Sequence, residues 1–281
     1  MPTVSGRSRL ISIVQSRQNS RVRELRAAFL QSGREVPEVI GLEGEHLLSE
    51  AIRSGLRLRT VFIRSEPDGR NLRILERLAL PGPVPIVSLN PAVFASAVET
   101  ESPQGIAALV EPPRFSLAEA MAGSSPLVLI SAALQDPGNF GTLIRSAEAF
   151  GATGVIALPG TVSVWNSKTL RASAGSAFRM PVVSERTAGV FAAAGENRLR
   201  VLAAVPASSG PDAMPCSQVD LTGPTAILIG NEGSGLSADL LDRAAVRIAI
   251  PVPGPVESLN AAVAGSILLY EAARQRGFSR G

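Results

Sequence analysis

Three apolar runs late in the chain each lead into a loop dense in Gly, Pro, Asn and Glu, and this pattern constrains the fold more than any other feature. The runs are residues 127–131, 226–229 and 246–250. The loops are Asp136-Pro-Gly-Asn-Phe-Gly-Thr-Leu-Ile-Arg145, Gly230-Asn-Glu-Gly-Ser-Gly-Leu236 and Ile250-Pro-Val-Pro-Gly-Pro-Val-Glu-Ser-Leu-Asn260. Short continuous apolar runs bounded by turn residues read as strands buried on both faces. In an open α/β sheet the loops leaving the carboxyl ends of the strands line the ligand crevice. The three loops are therefore expected to face one pocket.

The rest of the chain alternates in the same way, and its 281 residues suit about two domains of roughly 100–200 residues each. Residues 8–110 read as a small α/β unit. Its helices are expected at 20–31 (capped by Ser20), 45–53, 71–79 and 91–98. Its strands are expected at 39–40, 59–63, 85–88 and 105–110. Proline and glycine then concentrate around a short helix, giving a linker at 113–125 between domains at 1–112 and 126–281. The second unit continues with helices at 138–150, 168–174, 189–194, 238–245 and 260–275, and strands at 154–158 and 200–204. Residues 203–217, rich in Ala, Gly and Ser, read as an exposed loop. No internal repeat or low-complexity tract stands out.

Composition excludes several classes. A single cysteine, Cys216, leaves no internal disulfide, and with one histidine, His46, a Cys/His zinc site is not expected. No apolar run approaches the roughly 18 residues that span a membrane, and no signal-type stretch follows Arg7 and Arg9. A soluble, cytoplasmic protein is expected. The net charge is only +3, yet Lys168 is the sole lysine among the cations. Arginine binds phosphate bidentately and stacks on bases. Arg7, Arg9, Arg17, Arg21, Arg23, Arg26 and Arg34 face one acid, Glu24, within the first 34 residues. Such a stretch suits a phosphate backbone, although a solvated helix face looks the same in sequence.

Each loop has its own chemistry. Asn139 stands at the start of a helix, where backbone N–H groups meet a ligand. Arg145 lies six residues on, about 120° round the helix, so the two need not share a face. Arg145 reads as an ion-pair partner or a phosphate contact. The three glycines of the second loop let backbone approach a ligand closely, but it lacks the lysine of a P-loop and is not G-x-G-x-x-G. Its Glu232 would repel phosphate and better matches a hydroxyl, an amine or an arginine. In the third loop Ser258 or Asn260 can cap the last helix. Leu259 between them can pack in the core or on a flat aromatic ligand.

Together these segments resemble the three motifs of the SpoU/TrmH family of RNA ribose 2′-O-methyltransferases. Gly230, Ile250 and Leu259 stand 20 and then 9 residues apart, in the family's order and strand context, and the likeness covers residues 127–275. Upstream, Leu42-Glu-Gly-Glu-His-Leu-Leu-Ser-Glu-Ala51 and Pro103-Gln-Gly-Ile106 resemble the family's substrate-binding domain, a smaller ribosomal-protein-like α/β unit. Asn166-Ser-Lys-Thr-Leu-Arg-Ala-Ser-Ala-Gly175 is most similar to members acting on ribosomal RNA.

The resemblance implies a C-terminal α/β trefoil-knot (SPOUT) domain, an exception to the rule against threading. It implies bound S-adenosylmethionine, an active site formed across a homodimer, and no metal. Gly230, Asn231, Glu232, Gly233, Ile250 and Leu259 would bind the cofactor. Asn139, Arg145, Glu232, Ser258 and Asn260 would surround the reacting ribose. The family's proposed activator of the hydroxyl corresponds to Arg145, yet arginine stays protonated to pH above about 12. A phosphate and oxyanion clamp suits it better. Ala262 stands where members often have serine, which leaves the core of the motif intact. The expected substrate is 23S-type ribosomal RNA. Transfer RNA, methylation of a base nitrogen, and a catalytically silent RNA-binding or ribosome-assembly protein are the alternatives.

Overall fold

The structure is a computed structural model that describes residues 11–30, 33, 35–67, 69–209 and 212–278. The chain divides into two compact units, Met1–Pro113 and Arg114–Gly281. In the first, strands β1 (Ile11–Val14), β2 (Ile40–Glu43), β3 (Leu58–Arg64), β4 (Ile86–Leu89) and β5 (Ile106–Val110) lie in the order β1-β4-β3-β5-β2. β1, β4 and β3 are parallel, and β5 runs antiparallel to β3 and β2. Helices α1 (Ser20–Phe29) and α4 (Pro91–Ala97) supply Val22, Leu25, Phe29 and Phe94 to a core with Phe62, Val87 and Leu109. Helices α2 (Glu45–Arg53) and α3 (Arg70–Leu78) pack on each other and on the sheet. The buried Glu43 carboxylate accepts from Thr100 Oγ1 at 2.6 Å and the Gln104 N–H at 2.8 Å. That ties the Pro103–Ile106 loop to β2 and leaves no orphaned charge.

Asn19, not Ser20, caps α1, its side chain accepting the Arg21 N–H at 2.9 Å. β1 was not expected from sequence. It is a four-residue edge strand paired only with β4, with Ile11 and Ile13 exposed, so no buried apolar run announces it.

The second unit is one parallel sheet. β6 (Leu127–Ser131), β7 (Gly154–Ala157), β8 (Val182–Ser184), β9 (Arg200–Ala204), β10 (Ala213–Pro215), β11 (Thr225–Ile229) and β12 (Val246–Ala249) lie in the order β10-β12-β9-β11-β6-β7-β8. All the residues of β6, β7 and β11 are buried, as helices on both faces of a parallel sheet require. On one face α5 (Leu117–Ala120), α8 (Thr187–Glu196) and α9 (Ala238–Arg243) bring Ala120, Val190 and Leu240 against Val128, Ile156 and Leu228. The capping box of Ser116 and Glu119 starts α5.

Helices α6 (Pro137–Ala149), α7 (Ser167–Ser173) and α10 (Ala261–Gln275) form the second layer on this unit. α10 packs on both α6 and β11, and the Ser146 and Ser266 hydroxyls meet at 2.7 Å. Leu143 and Ile144 of α6 are fully buried, each burial contributing roughly 1.5–3 kcal/mol. α6 and α7 touch backbone to backbone at Gly141, where a Cβ would stand 2.6 Å from the Ala172 Cβ and 3.0 Å from the Ser173 nitrogen.

The expectation of a plain loop at 203–217 is corrected. β10 lies within it, pairing with β12 alone, and Cys216 is buried. Three residues ending in proline carry too little pattern to read as a strand, and an edge position tolerates the missing N–H. The three-residue β8 is silent in sequence for the same want of length.

Candidate active site

Because every pairing in the second sheet is parallel, the loops after β6, β9, β11 and β12 leave from the same edge. The first of them feeds α6. Asp136 caps that helix, its Oδ1 accepting the Asn139 N–H at 2.7 Å, with Pro137 in the first turn. Asp136 Oδ2 is paired with Lys168 Nζ at 3.5 Å. The Asn139 hydrogen bond, with the Lys168 charge adding to it, holds the Asp136 carboxyl below the usual aspartate range.

The cap fixes the backbone of Asn139, and its side chain joins the other two loops. Asn139 Nδ2 donates to Glu232 Oε1 at 2.7 Å, and Asn139 Oδ1 accepts from Asn260 Nδ2 at 3.2 Å. Asn260 is itself the cap of α10, its Oδ1 accepting from the Ala262 and Val263 N–H groups at 2.9 and 3.2 Å. One amide thus holds three loops that are far apart in sequence.

The Gly230–Leu236 loop folds back on itself. Asn231 and Gly235 exchange backbone hydrogen bonds, Asn231 N–H to Gly235 O at 3.2 Å and Gly235 N–H to Asn231 O at 2.9 Å. Gly235 takes φ +66°. The return brings backbone so close to Gly230 that a Cβ there would lie 2.5 Å from the Gly235 carbonyl carbon and 2.8 Å from the Leu236 nitrogen. Only glycine fits that approach. The Asn231 side chain locks the loop from both sides. Its Nδ2 donates to the Ala133 carbonyl at 2.8 Å, and its Oδ1 accepts the Gly233 and Ser234 N–H groups at 2.8 and 3.1 Å. Ala133 holds φ +54°, an uncommon conformation for a residue with a Cβ, in the loop that leads to Asp136.

The loops after β9, β11 and β12, with α10, line a pocket of about 400 Å³, within the usual range for small-molecule sites; the loop after β6, expected to face the same pocket, lines none of it and meets it only through the Asn139 bond to Glu232. Gly230, Asn231, Glu232, Gly233, Ile250 and Leu259, the residues expected to bind cofactor, all line it, as does Ser258. Asn139 and Asn260 do not line it; Asn139 bonds to the lining Glu232, and Asn260 bonds to Asn139 beside the lining Leu259 and Ala261. Arg145 does not line the pocket. It is exposed on α6, and its side chain makes no hydrogen bond or ion pair with another described residue. The site also uses residues to which the sequence reading gave no role: Asp136, Lys168, the Ala133 carbonyl, and the apolar walls Val205, Val252 and Leu268. Only Asp136 carried a signal, an Asp-Pro at the start of a helix.

Apolar walls, a glycine cradle and polar loop backbone suit a nucleoside-bearing ligand. Two carboxylates, Glu232 and Glu257, are the only charged side chains among the described lining residues, and they suit one that is cationic. S-adenosylmethionine, with its adenosine and its sulfonium, has both properties. Among the described residues no His/Cys/Asp/Glu group could hold a metal ion, and no helix is long and apolar enough to cross a membrane. In the first unit Arg17, Arg21 and Arg23 are exposed, with Arg21 Nη1 donating to Ser12 Oγ at 3.3 Å. Arg7 and Arg9 lie outside the described residues.

Comparison with known proteins agrees with this geometry. Residues 126–270 match the SpoU rRNA Methylase family, and residues 42–116 match the RNA 2′-O ribose methyltransferase substrate-binding family. The chain is 32% identical over 257 residues to the 23S rRNA (guanosine(2553)-2′-O)-methyltransferase RlmP of Bacillus subtilis, covering 92% of this chain and 97% of that one. It is 34% identical over 180 residues to a 23S rRNA (uridine(2479)-2′-O)-methyltransferase of Streptomyces viridochromogenes, covering 63% of each. The structure of the SpoU methyltransferase AviRb from Streptomyces viridochromogenes in complex with AdoMet superposes with a TM-score of 0.81 at 29% identity, covering 94% of this chain and 100% of that one. The two-unit α/β architecture, the loop-built pocket and these matches agree: the chain belongs to the SpoU rRNA methylase family of S-adenosylmethionine-dependent RNA ribose 2′-O-methyltransferases.

Proposed function

We propose that this protein methylates a ribose 2′-hydroxyl of 23S-type ribosomal RNA, working in the cytoplasm as a homodimer. The observation that carries the reading is the Asn139 junction, which holds Glu232 and Asn260 at the rim of the pocket. A catalytically silent RNA binder would have no need of that polar set, and all of it is present.

The cofactor supplies an activated methyl group on a sulfonium, so the protein's share is mainly positioning and handling of the departing proton. Gly230 and the self-bonded loop after it shape one wall of the cofactor pocket, and Ile250 and Leu259 give apolar surface to the adenosine. Asn139, Glu232, Ser258 and Asn260 surround the ribose. A guanidinium offers N–H donors and no acceptor. Arg145 therefore clamps a phosphate and the developing oxyanion rather than accepting the proton.

The homodimer reading is supported by α10, which exposes Val263, Ile267 and Tyr270. Tyr270 also makes ring contacts with Phe150 and the exposed Phe278, at 5.8 and 5.7 Å between centroids. Such a stripe needs a cover. Arg145, outside the pocket of its own chain, is then available to the partner's pocket. The family's threaded trefoil is supported by the chain path: after β12 the last helix returns past β9 to pack on β11 and α6. Residues 1–112, with exposed Arg17, Arg21 and Arg23, select the RNA, residues 126–281 carry the chemistry, and residues 113–125 connect them.

The test is transfer of labelled methyl from S-adenosylmethionine to unmodified ribosomal RNA and, separately, to tRNA, with the product nucleoside identified by mass spectrometry. A 2′-O-methylnucleoside in 23S RNA is expected. A base-methylated product, or transfer to tRNA alone, would overturn the substrate assignment.

A further inference from the structure

Within a single chain the lining of the cofactor pocket carries charge of one sign. Glu232 and Glu257 line it, and among its described lining residues there is no Arg, Lys or His. Glu232 is engaged by the Asn139 amide at 2.7 Å. Glu257 is different. It stands exposed on the loop between β12 and α10, beside Ser258, and makes no hydrogen bond or ion pair with another described residue. The loop that presents it contains Pro251, Pro253 and Pro255, whose fixed φ angles reduce the freedom of the segment.

The two small molecules that must use this pocket differ in charge more than in shape. S-adenosylmethionine carries a sulfonium and an ammonium against one carboxylate, a net charge of about +1 near neutral pH. S-adenosylhomocysteine has lost the methyl group and the sulfonium charge with it, and is neutral overall. When the C–S bond breaks, its electron pair stays on sulfur and the local cation disappears. An apolar wall cannot strongly discriminate one methyl group. An unpaired carboxylate can discriminate a cation from a neutral thioether, because Coulomb attraction acts on only one of them.

We infer that Glu257 is a specificity-determining residue that favours the cationic cofactor over its uncharged product. It biases the exchange of spent product for fresh cofactor between turnovers. The inference rests on the reading of this pocket as the cofactor site.

Isothermal titration of the full chain with S-adenosylmethionine, S-adenosylhomocysteine and sinefungin tests it, sinefungin being an analogue that carries an amine in place of the methylsulfonium. Glu257→Gln keeps the shape and removes the charge. The variant should bind S-adenosylmethionine and sinefungin about fivefold more weakly, and S-adenosylhomocysteine within about twofold of the parent. In the parent, preference for the two cations should shrink as salt rises. Equal weakening of all three ligands would assign Glu257 to loop shape alone and overturn the inference, as would no change in any. If the parent chain bound none of the three, the pocket assignment itself would fall, and the inference with it.

Discussion

Substituting Gly230 by alanine tests the architecture of the cofactor loop in a single methyl group. The added Cβ would lie 2.5 Å from the Gly235 carbonyl carbon, 2.6 Å from its oxygen and 2.8 Å from the Leu236 nitrogen. An ordinary contact needs about 3.4 Å or more, so the overlap approaches an ångström. All three neighbours are backbone, with no flexible side chain to swing aside. The loop must shift, and the paired Asn231–Gly235 hydrogen bonds stand in the way. Overpacking of this kind typically costs about 1–3 kcal/mol. If the strain falls on the bound conformation, that converts to roughly a 5- to 150-fold rise in Kd for S-adenosylmethionine. Titration calorimetry reads the affinity, and thermal unfolding reads whatever part of the strain is felt without ligand. Gly195→Ala is the control, because that glycine sits in α8 with nothing within 4 Å of its Cβ position. It should leave affinity unchanged and add up to about 1 kcal/mol of stability. If Gly230→Ala bound cofactor within twofold of the parent and melted at the same temperature, the close approach would not be what shapes the pocket.

Three other outcomes follow from the geometry. Arg145→Ala should abolish methyl transfer in the labelled-methyl assay while RNA binding, measured by filter retention, falls by no more than a few fold; parallel loss of both would make Arg145 a binding residue only. Asp136→Ala should lower stability in urea by about 1 kcal/mol through loss of the α6 cap and reduce kcat more than it raises KM for cofactor. The Asp136 carboxyl is held below its usual range, so the parent's advantage over the variant should be full above about pH 4 and fade as pH falls through the folded value; an advantage independent of acid would contradict the cap. Arg17, Arg21 and Arg23 changed together to alanine should weaken RNA binding and flatten its dependence on salt, by up to about one unit of slope for each phosphate no longer neutralised; an unchanged slope would remove these residues from the RNA surface.

The motif loops were legible because their chemistry is local. A glycine forced by backbone approach, an Asp-Pro cap and an Asn that starts a helix each leave a mark within a few residues. Buried parallel strands are equally plain, since helices on both faces demand unbroken apolar runs such as Leu-Val-Leu-Ile in β6. Of the edge strands only β2, buried along its whole length, left a signal, at residues 39–40. β1, β8 and β10 are three or four residues long and gain their pairing from a neighbour distant in sequence. The pocket walls were hidden for a related reason: Val205, Val252 and Leu268 look like any apolar residue until the sheet order places them together. Periodicity set Arg145 about 120° round α6 from Asn139, so that the two need not share a face; neither lines the pocket, and only Asn139 bonds to the Glu232 and Asn260 loops. Ala133 could not have been picked out, because a left-handed alanine carries no signature in composition or pattern.

The bond from Asn260 to Asn139 spans 121 positions of sequence. The site therefore has no local precursor. A chain emerging from the ribosome acquires β6 and α6 early, yet the amide that completes the rim arrives only when the last helix docks. Long-range closure of this kind is slow, since the loop entropy must be lost before the contact gives anything back. Cofactor binding thus reports complete folding rather than partial folding. A ligand that binds only the finished state stabilises it by mass action, so S-adenosylmethionine is expected to stabilise the docked last helix along with the loops it touches.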